Sequence, residues 1–196
     1  MKKLCAIAGI LIATLVTGIM VNVKQTRMQA DLAKEVFRFH VLANSDGKED
    51  QSLKMKVKEE ILRYMKQELP VSDSVDTTKV WARQHLTEIE EVSKQVILEE
   101  GYDYPVKAQV TKCQFPDKSY GDVTFPAGEY EALRIEIGKA EGQNWWCVLY
   151  PNLCFMDAVH AVVPEEGKKD LKRVLDEDTY DMVTATTRFR IGWFFF

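Results

Sequence analysis

The spacing of hydrophobic positions changes several times along this chain, and each change marks an element. From Leu4 to Val23 the apolar run is broken only by small or weakly polar residues, and Lys2 and Lys3 precede it. A helix needs roughly 20 apolar residues to cross a bilayer, so the run predicts a secretory signal or an uncleaved signal anchor. The lysines hold the N-terminus in the cytoplasm and send the remainder outward. Val16-Thr17-Gly18 offers small residues to a signal peptidase, but no A-x-A site exists and Ile19 to Val23 stays apolar. Cleavage and retention both remain open. Residues 1–23 are thus expected to be a signal peptide or anchor, and residues 31–196 a single extracytoplasmic domain.

Beyond the leader, Phe37, Phe39 and Val41 alternate with Arg38 and His40, the period of a strand with one buried face. Asp46-Gly47 closes that run in a turn. Leu53, Val57, Ile61, Met65 and Leu69 then recur every four positions, which predicts an amphipathic helix with Glu49 and Asp50 in its first turn and Pro70 beyond its end. After the polar connector VSDSVDTT, Thr77 or Thr78 is placed to cap a second helix carrying Ala82, Leu86, Ile89, Val92 and Val96 up to Gly101.

Alternation returns through Val106, Ala108 and Val110, and FPDKSYGDVTFPAGEY reads as a loop. Leu133, Ile135 and Ile137 define another strand, and WWCVLY follows across a short GQN turn, predicting a hairpin. PEEGKKDLKRVLDE reads as a short helix and TTRFRIGWFFF as a terminal strand. Strand, two helices, then several strands make an α+β domain: a mainly antiparallel sheet with two long helices on one face.

Composition adds one constraint. With 46% hydrophobic and 29% charged residues among 196, the chain can bury a core and is not disordered. No acidic residue precedes Asp31, so beyond Val23 there are 24 basic against 30 acidic residues, a formal charge of −6. The basic residues are scattered. Nucleic acid is disfavoured as a partner, because a phosphate backbone demands a concentrated positive footprint. Contact with a membrane is expected only through the N-terminal segment.

The densest chemistry lies in NWWCVLYPNLC, residues 144–154. A cysteine nucleophile needs a base to form thiolate and a donor for the oxyanion. His40 falls on the outer side of a strand, His85 on a helix among charged neighbours, and only His160 lies close in sequence to Cys154. Neither cysteine sits at a helix N-terminus. Zinc sites present paired short spacings, whereas Cys147 and Cys154 are separated by six residues. No phosphate loop, nucleophile elbow or H-E-x-x-H occurs. The residues supply no catalytic, cofactor or metal site. A disulfide between Cys147 and Cys154 would close a loop of about eight residues, worth roughly 2.5 kcal/mol in the chain-entropy model. Two thiols packed as small hydrophobes are the alternative. If this segment is a strand, Trp145 and Trp146 point to opposite faces. The outward one is either a partner contact or packed under the terminal WFFF.

FRFHVLANSDGKEDQSLKMKVKEEIL resembles the opening block of the stage II sporulation protein R family, with its R-F-H-V-x-A-N-S-D strand and its helix beginning E-D-Q-x-L-K. GYDYPVKAQV and YGDVTFPAGEYEALRIEIGKAEGQNWWCVLYPNLCF resemble the same family in the same order, so most of residues 36–155 is covered. PNLC stands where the family pattern has P-P-L-C.

The resemblance implies a non-enzymatic signalling protein made in the forespore and exported into the intermembrane space. There it would activate the mother-cell membrane aspartic protease SpoIIGA, which removes the pro-sequence of sigma-E. On that view Asn44, Ser45, Asp46, Asp50, Gln51, Trp145 and Trp146 are the expected partner contacts, although Asn44 to Asp46 equally suit a turn and helix cap. Two other classes stay open: an exported hydrolase, such as a wall-directed one, with Cys147 or Cys154 as nucleophile, and a structural protein of the intermembrane space.

Overall fold

The computed structural model describes residues 2–70, 74–154 and 163–185, with side chains described from Ile12 onward except Ala13 and Ala185. Helix α1 spans Lys2–Glu35, and strand β1 (Phe37–Leu42) follows after one residue. Three helices come next, α2 (Lys48–Glu68), α3 (Val75–Gln84) and α4 (Leu86–Glu99). Then come β2 (Val106–Phe115), a ribbon of β3 (Lys118–Tyr120) and β4 (Val123–Phe125), β5 (Gly128–Ile137) and β6 (Asn144–Tyr150). Helices α5 (Glu165–Val174) and α6 (Glu177–Ala185) complete the described chain. The predicted strand TTRFRIGWFFF lies outside the described residues, as does His160.

Four strands form one sheet in the order β2-β5-β1-β6. The α+β class holds, but the sheet is mixed: β2–β5 and β1–β6 are antiparallel, whereas β1 and β5 run parallel. The predicted β5–β6 hairpin does not form, because β1 is inserted between those strands. The connection after β5 passes over the end of β1, with Glu141 N donating to Asn44 O (3.3 Å) and Gly142 N to Ala43 O (3.0 Å). A local turn reading cannot see a strand that arrives from a hundred residues earlier.

One face of the sheet buries Phe37, Phe39, Val41, Leu133, Ile135 and Ile137 against Leu53, Val57, Ile61 and Met65 of α2, Trp81 and Ala82 of α3, and Ile89 and Ile97 of α4. Each fully buried Leu, Ile or Val contributes about 1.5–3 kcal/mol, so the stripe seen in the sequence accounts for α2 docking here. The second predicted helix is two. His85, at φ −112° and ψ 21°, breaks it, and its ring stacks on Trp81 at 4.3 Å. The cap is Ser74 and not Thr77 or Thr78: its Oγ accepts from Asp76 N at 3.2 Å.

The opposite face was expected to meet solvent. It is covered by Leu32 and Val36 at the end of α1, by Val123 and Phe125 of the β3–β4 ribbon, by Leu171 and Leu175 of and just after α5, and by Val183 of α6. The segment 115–130 that read as a loop supplies that ribbon, turning at Gly121 with φ +59°. All six residues of β1 are therefore buried, including Arg38 and His40.

Helix α1 runs without a break from the leader into this second core. Ile12, Leu15, Val16, Ile19, Met20, Val21 and Val23 are exposed, while Leu32 is fully buried. Among the residues whose side chains are described no helix is long and apolar enough to cross a membrane; the part of the apolar run before Ile12 lies outside them.

Candidate functional site

The β1–α2 turn is built by its own polar side chains. Asp50, buried in the first turn of α2, accepts from Asn44 Nδ2 (2.8 Å) and Ser45 Oγ (2.5 Å) on the same oxygen, Oδ2. Burial alone would raise its pKa, but the hydrogen bonds from Ser45, Asn44 and Tyr104 outweigh that and hold the carboxyl below its ordinary range. Gln51 Nε2 donates to Ser45 O (2.9 Å), and its Oε1 accepts from the buried Lys54 ammonium (2.6 Å). Lys54 also donates to Gln143 O (3.0 Å), and Asp46 Oδ1 accepts from Gln143 N (2.7 Å).

These bonds knot the turn to the β5–β6 connection. Asn44 Oδ1 further accepts from Lys139 N at 3.0 Å. The approach is so close that a Cβ on Gly138, already at φ +61°, would fall on Asn44 Oδ1, and one on Gly142 would fall on Ser45 O. Asn44, Ser45, Asp50 and Gln51 thus spend their polar groups inside the molecule, while Asp46 stays exposed. Lys54 went unnoticed in the sequence because a lysine on an amphipathic helix reads as solvated, although it belongs to the D-Q-x-L-K block.

The two tryptophans adjoin this knot, since Leu42 pairs with Asn144 and Val41 with Trp145. They do point to opposite faces, but neither face is an outer one. Trp145 packs edge-on against Phe39 (5.6 Å) in the first core, with Lys58 Nζ 5.1 Å from its ring. Trp146 stacks on His40 (4.8 Å) and meets Phe115 edge-on (4.6 Å) in the second core. Both remain half-buried on the edge strand β6. The knot, exposed Asp46 and the half-buried Trp145 and Trp146 thus lie at the same end of β1 and β6, the two tryptophans on opposite faces of the sheet.

Beneath Trp146 lies a buried polar layer. The Arg38 guanidinium is sandwiched by Phe115 (4.3 Å), Tyr130 (4.9 Å) and Phe125 (5.1 Å). Its Nε donates to Cys147 O (3.0 Å) and its Nη2 to Tyr120 Oη (3.1 Å), while Nη1 has no partner. Burial, reinforced by the charges of Arg134 and Arg38, lowers the His40 pKa to about 3, so the ring is neutral. His40 Nε2 meets Cys113 Sγ at 3.5 Å, a cysteine–histidine contact that the sequence separation of 73 concealed. Burial raises the Cys113 thiol and depresses the imidazole, so both shifts oppose a thiolate–imidazolium pair. The contact is organised as neutral packing.

Cys113, Cys147 and Cys154 carry free thiols. Cys147 is buried and Cys154 half-buried, and burial, with a smaller contribution from Cys147, raises the Cys154 thiol well above its ordinary range. Among the described residues no group of three or more His, Cys, Asp or Glu side chains is arranged to hold a metal.

An α+β module on the end of an N-terminal helix, whose motif residues build a turn and a buried layer, is the class these features define. The sequence model of the family described as stage II sporulation protein R matches residues 33–160. Stage II sporulation protein R of Bacillus subtilis (strain 168) is 34% identical over 152 residues, covering 77% of this chain and 68% of that protein. The chain belongs to the stage II sporulation protein R family, and its role is in sporulation. No solved structure matches it.

Proposed function

We propose that this chain is an exported signalling protein, passed from forespore to intermembrane space, that activates the membrane aspartic protease SpoIIGA and so triggers processing of pro-sigma-E. The observation that carries this reading is the family match over residues 33–160, which contains every strand of the sheet. The exposed apolar residues of α1 between Ile12 and Val23 support an exported or membrane-held chain. Activation in trans requires that the domain bind the active state of the protease more tightly than the inactive one. The contact is centred on Asp46 and the accessible parts of Trp145 and Trp146. Asn44, Ser45, Asp50 and Gln51 act behind it by fixing the turn.

Co-expression of the full chain with the protease and a tagged pro-sigma-E tests this directly. Processing should require the chain and be lost in Asp46→Lys or Trp146→Ala variants that retain native circular dichroism. Normal processing by both folded variants would remove the proposed surface, and processing without the chain would make it a structural component. The Cys113–His40 contact is the observation nearest to a hydrolase reading. Retained processing by Cys113→Ser separates the two, because a catalytic thiol would not survive that change.

A further inference from the structure

We propose that Cys147 and Cys154 are a dithiol site that closes to an intramolecular disulfide when the domain leaves the cytoplasm. The location rests on the exported reading above; the site itself rests on geometry. Cys147 is paired in register with Phe39, so its side chain points to the same face of the sheet. Cys154 packs against the cluster that contains Phe39. Between them the chain reverses: Leu153 N donates to Pro151 O (2.7 Å), and Cys154 N donates back to Val148 O (3.1 Å). That last bond ties Cys154 to the residue beside Cys147. The third described cysteine cannot compete. Cys113 lies on β2, three strands away, about 14 Å at the usual strand spacing, and it contacts His40 on the opposite face.

Cys154 is half-buried as a residue and Cys147 buried, so we assign the first step to Cys154: it loses its proton and attacks the sulfur–sulfur bond of an external disulfide, either a small molecule or an oxidised thiol oxidoreductase. One sulfur–sulfur bond forms, one breaks, and a thiolate leaves. Buried Cys147, deprotonated in turn, attacks Cys154 Sγ and expels the second thiolate. The cysteines lose two protons and two electrons in all, and the external disulfide becomes two thiols. Burial and the interaction with Cys147 hold the Cys154 thiol well above its ordinary range, so a catalyst accelerates the first step. The bond would staple the Pro151–Asn152 turn to β6, the strand that carries both tryptophans.

Full-length protein in detergent, equilibrated in oxidised and reduced glutathione, acid-quenched, alkylated and peptide-mapped, tests the site without reference to location. In oxidising buffer Cys147 and Cys154 should escape alkylation together while Cys113 is modified. Cys147→Ser and Cys154→Ser should each leave the remaining partner alkylated. Reductant should shift the unfolding equilibrium of the parent on the order of tenfold to a hundredfold and leave both serine variants unmoved. Alkylation of both thiols in oxidising buffer, or a bridge that includes Cys113, overturns the site. A bridge in buffer but free thiols in protein trapped directly from sporulating cells overturns the exported location alone.

Discussion

The two faces of the sheet solve the same problem with different materials. On the α2–α4 face the buried strand residues are aliphatic and aromatic, and they meet helices whose stripes repeat at helical spacing and which bury Asp50, Lys54, Thr78, Lys79 and Ser93 as well. The opposite face contains a fully buried arginine and a neutral histidine, packed by parts of α1, a short ribbon and two late helices. A charge can be buried without a carboxylate when ring faces and two hydrogen bonds replace its water, as at Arg38. The cost remains visible in the unpartnered Nη1. The first face therefore derives its stability from area, and the second from a specific arrangement.

The largest test of that contrast is Arg38 itself. Arg38→Ala opens a void among Phe115, Phe125 and Tyr130 and removes the donors to Tyr120 Oη and Cys147 O, for an expected loss of about 4 kcal/mol in urea unfolding. Arg38→Met fills the void and carries no charge, so it should recover most of that loss. Equal losses from both variants would mean that the charge, not the volume, holds the second face. On the first face Ile61→Ala should cost about 3 kcal/mol, with no rescue by any polar residue.

Smaller effects come from the knot and from the histidine. Asp50→Ala removes the acceptor shared by Asn44 and Ser45 and should cost about 2 kcal/mol, read as a lower melting temperature. His40 titrates near 6.5 when unfolded and about 3 when folded, so between those values the unfolded chain binds more protons. Its stabilising share is complete above pH 6.5 and declines on acidification, at up to about 1.4 kcal/mol per pH unit. His40→Asn should flatten the stability profile between pH 6 and pH 4; an unchanged slope would assign it to other groups.

Much of this was legible in sequence because the signals are local. The α2 stripe from Leu53 to Met65, the β5 alternation through Leu133 and Ile137, and the short helix at Glu165–Val174 all follow from period alone. The Asn44–Gln51 block was legible as a motif, and Asn44 to Asp46 do build a turn, but the N-cap of α2 is Gly47 and no side chain caps the helix. What the block contacts was not legible, because Lys139, Gln143 and Gly142 lie about a hundred residues further along. The ribbon at Lys118–Phe125 was hidden by brevity, since three-residue strands carry no usable alternation.

By itself the amino-acid order determined most of the longer elements, the α+β class and the family, because helix stripes, strand alternation and a run of motif residues are each encoded within a few neighbouring positions. Only tertiary structure decided that β1 divides β5 from β6, that its Arg38–His40 side is interior, and that Cys113 meets His40. Alternation reports that a strand has two chemically different faces. Whether water or another layer covers the polar one depends on packing between distant segments, and here that packing put a cation and an imidazole inside.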